Sequence, residues 1–167
     1  MNVRKLNRLK DYDYSHGGCY FVTICTKYRI DHFGEIVDGE MILNENGKIV
    51  NQQWLWIGEQ YNYVFLDRFV IMPNHFHGIL IIINDVGNGR DRSLPKIKSL
   101  SSLIGAFKTT SSKMIHQMGN NEFSWQKSFY DHIIRTEKDF YNIQEYIQNN
   151  PMQWEWDEEN ILCLEKI

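Results

Sequence analysis

A chain of 167 residues, of which 43% are hydrophobic, has the size and composition of one globular domain with a real core and excludes general disorder. The longest apolar run, residues 79–83, is far shorter than the roughly 20 residues that a membrane span needs. Three cysteines without a CxxC spacing argue against a disulfide framework and a cysteine zinc site. We therefore expect a cytoplasmic protein with reduced thiols.

The net charge of -3 argues against a nonspecific nucleic-acid coat protein, but the charges are unevenly distributed. Residues 1–17 form a basic arm, residues 84–98 predict a mobile, Gly-rich basic loop, and residues 151–167 form an acidic tail. The part of the chain before this tail is therefore more basic than the net charge of the whole chain indicates. The basic residues of interest in the arm and the loop are Arg4, Lys5, Arg8, Lys10, Arg90 and Arg92.

The first half of the chain predicts strands followed by a helix. Residues 20–28 are rich in β-branched and aromatic residues, and residues 35–43 predict a hairpin that turns at Asp38 and Gly39. Apolar residues recur at helical spacing over residues 47–61. Residues 63–72 and 75–83 are two apolar runs separated by Pro73 and Asn74, and we expect them to pair as antiparallel strands.

In the second half, a helix with a serine N-cap carries an apolar stripe from Leu100 to Met118 and stops near Gly119. Residues 129–135 predict a strand, and Thr136 with Asp139 resembles a capping box before a last helix that Pro151 ends. This order predicts a single α+β domain over residues 1–167. The simplest match is a ferredoxin-like βαββαβ sandwich, with helices on one face of an antiparallel sheet and an additional C-terminal helix.

Two histidines stand out at the start of one predicted strand. His75 and His77 are two residues apart, so both imidazoles leave the same face of the strand and can converge on one cation. Histidines beside a turn are also common as ordinary polar residues at a strand end. The spacing alone leaves both interpretations open.

The last predicted helix carries a second pair of interest. Tyr146 and Asn150 are four residues apart and therefore project from the same side of the helix. A phenol can act as an oxygen nucleophile and an amide oxygen can bind a metal. An aromatic residue in a helix is, however, usually part of the packing, and Asn before Pro is often a helix cap.

Taken together, the residues resemble the single-tyrosine HUH transposases, and most closely the REP-associated tyrosine transposases of bacteria. The resemblance covers nearly the whole chain. It is carried by residues 12–14 (YDY), 20–26 (YFVTICT), 70–78 (VIMPNHFHG), 125–131 (WQKSFYD) and 146–151 (YIQNNP).

The resemblance implies a role for each residue of the two pairs. His75, Phe76 and His77 match the HUH motif, whose two histidines hold a catalytic Mg²⁺ or Mn²⁺. Tyr146 matches the nucleophile, and Asn150 matches the amide that completes the metal shell, although the insertion-sequence branch commonly has Gln there. The implied reaction is attack on single-stranded DNA beside a REP-like hairpin, which gives a 5'-phosphotyrosine link and a free 3'-OH.

The metal, the DNA contacts and the general base are considered next. Imidazole ligands suit Zn²⁺ at least as well as Mg²⁺, so the resemblance alone selects the metal. It also makes the basic arm and the loop with Arg90 and Arg92 the expected DNA contacts. For the general base, His132 and Lys127 are candidates, and the role stays unassigned.

Two rival functions remain to be tested. A domesticated relative would bind nucleic acid without cutting it, although this chain retains the four residues of both pairs. A zinc hydrolase would use the histidine pair, but HExxH and CxxC are absent from the sequence. The sequence does not decide between a monomer and a homodimer.

Overall fold

The structure is a computed structural model that describes residues 17–83 and 97–157. Some of the residues that the sequence analysis singles out lie outside these two ranges. The basic residues of the arm and the loop, which are Arg4, Lys5, Arg8, Lys10, Arg90 and Arg92, lie outside the described residues, as do the motif at residues 12–14 and Cys163. Within the described ranges, no helix has the length and apolar character needed to span a membrane.

The described ranges contain six strands and three α-helices, in the order that the sequence predicts. They are β1 (Gly18–Cys25), β2 (Gly34–Val37), β3 (Glu40–Leu43), α1 (Glu45–Gln60), β4 (Val64–Ile71), β5 (His75–Ile82), α2 (Leu100–Gln117), β6 (Tyr130–Ile134) and α3 (Glu137–Asn149). Two short 3-10 helices, Lys27–Arg29 and Pro151–Trp156, complete the set.

Four strands form one antiparallel sheet in the order β4-β5-β1-β6. With α1 between β1 and β4 and α2 between β5 and β6, this order is that of a ferredoxin-like βαββαβ core. The predicted fold is confirmed. The hairpin β2–β3 forms a separate two-stranded sheet, and its turn uses the left-handed conformations of Asp38 (φ 51°) and Gly39 (φ 79°).

The two faces of the sheet are covered by different helices. One face packs on α1 and α2 in a large core that includes Trp54, Phe76 and Phe107. The other face packs on α3 through a smaller cluster of Phe21, Ile79, Ile134 and Ile147. Side chains that alternate along β5 therefore reach two different environments, as the sequence predicts for a central strand.

The helix N-caps follow the local sequence. The side chains of Asn44, Ser99 and Thr136 accept hydrogen bonds from backbone amides in the first turns of α1, α2 and α3. The predicted capping box at Thr136 is only half formed, because the Asp139 carboxylate bonds to His132 Nε2 at 2.8 Å instead of turning back to the cap.

Two local predictions are wrong. β1 ends at Cys25 and not at residue 28, because Tyr28 and Arg29 adopt positive φ values of 59° and 57° in a 3-10 turn. Met118 does not extend the buried stripe of α2. It caps the end of that helix and is 57% exposed, since the helical hydrogen bonding stops there.

Candidate metal and tyrosine site

The two histidines of the HUH motif lie at the start of β5, on the face of the sheet that α3 covers. His75 and His77 are 0% and 3% exposed, and their ring centroids are 4.5 Å apart. Phe76 between them points to the opposite face and joins the core with Trp54. The alternation of side chains along a strand thus separates the two imidazoles from the bulky residue that anchors them.

Asn74 fixes the orientation of the His75 ring. Its Nδ2 donates to the backbone oxygen of Arg29 at 3.1 Å, so its Oδ1 is the atom that faces His75 Nδ1 at 2.9 Å. A carbonyl oxygen can only accept, so Nδ1 carries the proton. The lone pair of His75 therefore lies on Nε2, which faces the space under α3.

Thr23 is the hydrogen-bond partner of the second histidine, His77. Thr23 and His77 are direct partners on the adjacent strands β1 and β5, and Thr23 Oγ1 lies 2.8 Å from His77 Nδ1. The other ring nitrogen of His77, Nε2, lies 3.3 Å from the hydroxyl of Tyr146. The Tyr146 ring stands at 5.2 Å from the His77 ring and 6.0 Å from Phe21, measured between centroids.

Both histidines are uncharged at neutral pH. Burial lowers the pKa of His75 to about 4, and the nearby Asp157 carboxylate only partly opposes this effect. Burial, with a smaller contribution from His75, also lowers the pKa of His77 well below 6.5. Neutral imidazoles are the form that binds metal ions.

Helix α3 brings the second predicted pair to the same place. Tyr146 is 41% exposed, whereas Asn150 is 1% exposed at the C-cap of the helix. Asn150 Nδ2 donates to Asp157 Oδ2 at 3.2 Å, and Asn150 Oδ1 is buried without a hydrogen-bond partner in the described part of the chain. The structure therefore brings together all four residues that the sequence singles out.

Asp157 is the site residue that the sequence analysis missed, because it looked like part of an acidic tail. Pro151 ends α3 and starts the 3-10 helix, which turns the chain back over the site. The hairpin turn supports this segment, since a Cβ atom on Gly39 would lie 3.3 Å from Met152. Asp157 Oδ2 consequently lies 4.0 Å from His75 Nε2. The sequence feature that could have identified Asp157 was an acidic residue shortly after the end of the last predicted helix.

The arrangement fits a small divalent cation. One donor atom each from His75, His77 and Asp157 lie within 4.8 Å of one another. Opposite ligands of an ion with bonds of about 2.1 Å stand roughly 4.2 Å apart, so a small contraction brings these donors to bonding distance. His75 Nε2 and Asn150 Oδ1 are buried without hydrogen-bond partners among the described residues, which is costly unless something binds there.

A cleft of about 740 Å³ leads to this cluster. Of the other two tyrosines near the end of the chain, Tyr130 lines the cleft and Tyr141 does not. Neither predicted base lines it, since His132 is bonded to Asp139 and Lys127 lies on a separate groove beside α2. The remaining lining residues are Phe21, Thr23, His77, Tyr146, Asn150, Gln153, Trp156 and Asp157.

No protein-family model matches the chain. An uncharacterised protein of Haemophilus influenzae is 39% identical over 165 residues, which cover 93% of this chain and 92% of that protein. Such identity over nearly the full length of both proteins places them in one family.

Two solved structures share the fold. A REP-associated tyrosine transposase bound to a REP hairpin superposes with a TM-score of 0.60 and 21% identity, covering 90% of this chain and 76% of that one. A candidate transposase from Deinococcus radiodurans superposes with a TM-score of 0.51 and 18% identity, covering 85% of this chain and 95% of that one. The chain therefore belongs to the same family as the Haemophilus influenzae protein, and its fold is that of the REP-associated tyrosine transposases.

Proposed function

We propose that this protein is a metal-dependent single-stranded DNA nicking and strand-transfer enzyme, with Tyr146 as its nucleophile. The observation that carries the proposal is the 3.3 Å separation between the Tyr146 hydroxyl and His77 Nε2 at the mouth of the cleft. Beside them lie the buried His75 imidazole and Asn150 amide, each with one atom that has no hydrogen-bond partner among the described residues, and the Asp157 carboxylate.

In the proposed reaction, Tyr146 Oη attacks the phosphorus of a DNA phosphodiester. Tyr146 Oη gives up its proton and bonds to phosphorus, the bond from phosphorus to the 3' oxygen breaks, and that oxygen takes up a proton and leaves as a 3'-OH. The product is a 5'-phosphotyrosine, which retains the energy of the broken bond. A 3'-OH can then attack this link and rejoin the strand.

The residues that would hold the metal are His75, His77, Asn150 and Asp157. When bound, a divalent cation polarises a nonbridging phosphate oxygen and neutralises charge at the scissile phosphate. The amide and carboxylate oxygens in the set favour Mg²⁺ or Mn²⁺ more than the histidines alone would. The single carboxylate leaves the site with a net positive charge once a divalent ion is present, which suits an anionic substrate.

The cleft also has features that suit unpaired bases. Trp156 is 81% exposed and Tyr130 is 50% exposed, and both line the cleft together with Phe21. Exposed aromatic rings beside a phosphate-binding centre are the usual platforms for stacking single-stranded bases. Because the transposase that shares this fold is bound to a REP hairpin, we extend the proposal to a hairpin substrate with an adjoining single strand.

The experiment is a search for the covalent intermediate. Hairpin oligonucleotides labelled at the 3' end, which stays on the fragment joined to the tyrosine, are incubated with the protein and Mn²⁺, and a protein-linked band is separated on a denaturing gel and mapped by mass spectrometry. We expect the link at Tyr146, and Tyr146→Phe should abolish the band while retaining hairpin binding. Tyr130→Phe and Tyr141→Phe are the matched controls, and both should form the adduct.

Other outcomes contradict the proposal in different ways. An adduct that maps to Tyr130 or Tyr141 would disprove the assignment of the nucleophile. Tight hairpin binding by the parent protein without any adduct, over a range of oligonucleotides and metals, would favour the domesticated binding module. Adduct formation in the presence of excess chelator would exclude the metal requirement.

A further inference from the structure

The edge strand β4 contains a bulge directly beneath helix α3. Leu66 pairs with Leu80 and Phe69 pairs with Gly78, so β4 advances by three residues where β5 advances by two. Asp67 and Arg68 consequently stand together opposite Ile79, which belongs to the cluster under α3. A bulge of this kind aims two consecutive side chains at one neighbour, which a regular strand cannot do.

Both bulge residues bond to α3. Gln144 Nε2 donates to Asp67 Oδ1 at 2.6 Å, and Arg68 Nη1 donates to Gln148 Oε1. The two glutamines are four residues apart and therefore lie on one side of the helix. The bulge thus connects the sheet edge to α3 at two points, one helical turn apart.

These contacts matter because they are polar links between α3 and the edge strand β4, on the opposite side of the helix from Tyr146. The remaining anchorage of α3 is the buried Ile147, the partly buried Phe140 and Ile143 on the same small apolar cluster, and the bond from Asp139 to His132 near the start of the helix. Phe140, Ile143 and Ile147 lie within about 60° of one another around the helix axis, so this narrow apolar stripe alone resists rotation of α3 only weakly. The polar contacts to β4 resist that rotation.

Helical geometry relates the rotation to the site. At about 100° per residue, Gln144 and Gln148 lie ~60° and ~100° to one side of Ile147, whereas Asn150 and Tyr146 lie at the same angles on the other side. A roll of α3 away from β4 would therefore displace Tyr146 and Asn150 together. The two flanks of the helix are mechanically coupled through its rigid backbone.

We infer that Asp67, Arg68, Gln144 and Gln148 form a clamp that sets the roll of α3 and so positions Tyr146 against His77. They are positioning residues, since none of them lines the cleft that contains Tyr146 and His77. The inference rests on the proposed function for its effect on rate, but its geometric part does not. A displacement of about 1 Å at a nucleophile costs on the order of a hundredfold in rate.

The test measures geometry and chemistry separately. Nuclear Overhauser contacts between the Tyr146 and His77 rings, whose centroids are 5.2 Å apart, report the geometry in metal-free protein. Gln144→Ala/Gln148→Ala should lose these contacts while keeping those between Trp54 and Phe107 in the core. At saturating hairpin the rate of adduct formation should fall at least about tenfold, with hairpin affinity unchanged within about twofold.

Two variants serve as controls. Asn142→Ala/Glu145→Ala removes two exposed polar side chains from the same helix and should leave both readouts as in the parent. Asp67→Asn keeps an oxygen that accepts from Gln144 and should also behave as the parent, whereas Asp67→Ala should not. Alanine favours helix, so loss of α3 itself does not explain a defect.

The outcomes are distinguishable. Ring contacts and adduct rate that persist in Gln144→Ala/Gln148→Ala would overturn the clamp, as would an equal defect in Asn142→Ala/Glu145→Ala. If that glutamine double variant fails to fold, Gln144→Ala and Gln148→Ala alone carry the same expectation with smaller effects. If the parent protein forms no adduct, the proposed function fails, and the ring contacts still decide the geometry.

Discussion

The side chain of Asn74 and the imidazole of His75 share a hydrogen bond of 2.9 Å that determines which ring nitrogen faces the candidate metal site. Asn74 is 1% exposed and is itself held by its bond to the backbone of Arg29. Partners of this kind set the tautomer of metal-binding histidines and raise their basicity.

Asn74→Ala should therefore weaken metal binding without touching a ligand. We expect an affinity for Mn²⁺ lower by about 10–100-fold, because the His75 ring loses the acceptor that keeps the proton on Nδ1. Isothermal titration calorimetry measures the affinity, and Asn46→Ala on α1 is the control, since its amide donates to the backbone of His32, away from the site. Unchanged affinity in Asn74→Ala would show that the ring needs no such support.

His75→Ala and His77→Ala should each abolish cleavage and reduce Mn²⁺ binding below detection. Because both rings are buried, each variant also loses packing, with a stability cost of about 1–3 kcal/mol. Circular dichroism should still show a folded protein with a lower Tm. Cleavage at the parental rate by either variant, after chelator treatment and restoration of the metal, would contradict the two-histidine site.

Asp157→Ala tests the residue that completes the donor set. Its carboxylate is 4.0 Å from His75 Nε2 and accepts from Asn150 Nδ2, so its loss removes one oxygen ligand and loosens another. We expect Mn²⁺ affinity to fall at least about tenfold, by analogy with other partners of metal ligands. Glu155→Ala removes an acid two residues earlier and should leave the affinity unchanged, which separates ligation from the general charge of this segment.

Stability of the metal-free protein should decrease on acidification. His75, with its pKa lowered to about 4, binds fewer protons in the folded state than in the unfolded state, where a value near 6.5 applies. The contribution of His75 to stability is therefore constant above about pH 6.5 and is lost between there and about pH 4. The contribution of His75 is about 3 kcal/mol, from 1.36 kcal/mol per pH unit.

Urea unfolding at a series of pH values measures this loss. His75→Gln should make the curve shallower between pH 6.5 and 4, because it removes one of the two buried imidazoles, and His77, whose pKa is also lowered well below 6.5, accounts for the remaining slope. An equally steep curve in His75→Gln would assign the pH dependence to other groups.

Arg90→Ala/Arg92→Ala tests the predicted basic loop. If both side chains contact DNA phosphates, the slope of log K against log salt should decrease in magnitude by about 1.8, or roughly 0.9 for each contact, and the rate on saturating DNA should persist. Hairpin binding measured by fluorescence anisotropy at several salt concentrations gives the slope. An unaltered slope would mean that these arginines only face solvent.

Much of the architecture was determined by the sequence itself. Alternating apolar residues marked β5 as a central strand, and the spacing of Tyr146 and Asn150 placed both on one side of α3. Local signals such as the turn at Asp38 and Gly39 also acted as predicted. These features depend on near neighbours in the chain, because strand and helix periods and turn conformations are local properties.

Only the tertiary structure decided how the site is assembled. Thr23 reaches His77 because β1 lies beside β5, and Asp157 reaches His75 because the chain turns back after Pro151. The bulge that brings Asp67 and Arg68 to α3 has no periodic signature either. Such contacts join residues far apart in sequence, and their free energy is realised only after strand order and helix docking have brought the partners together.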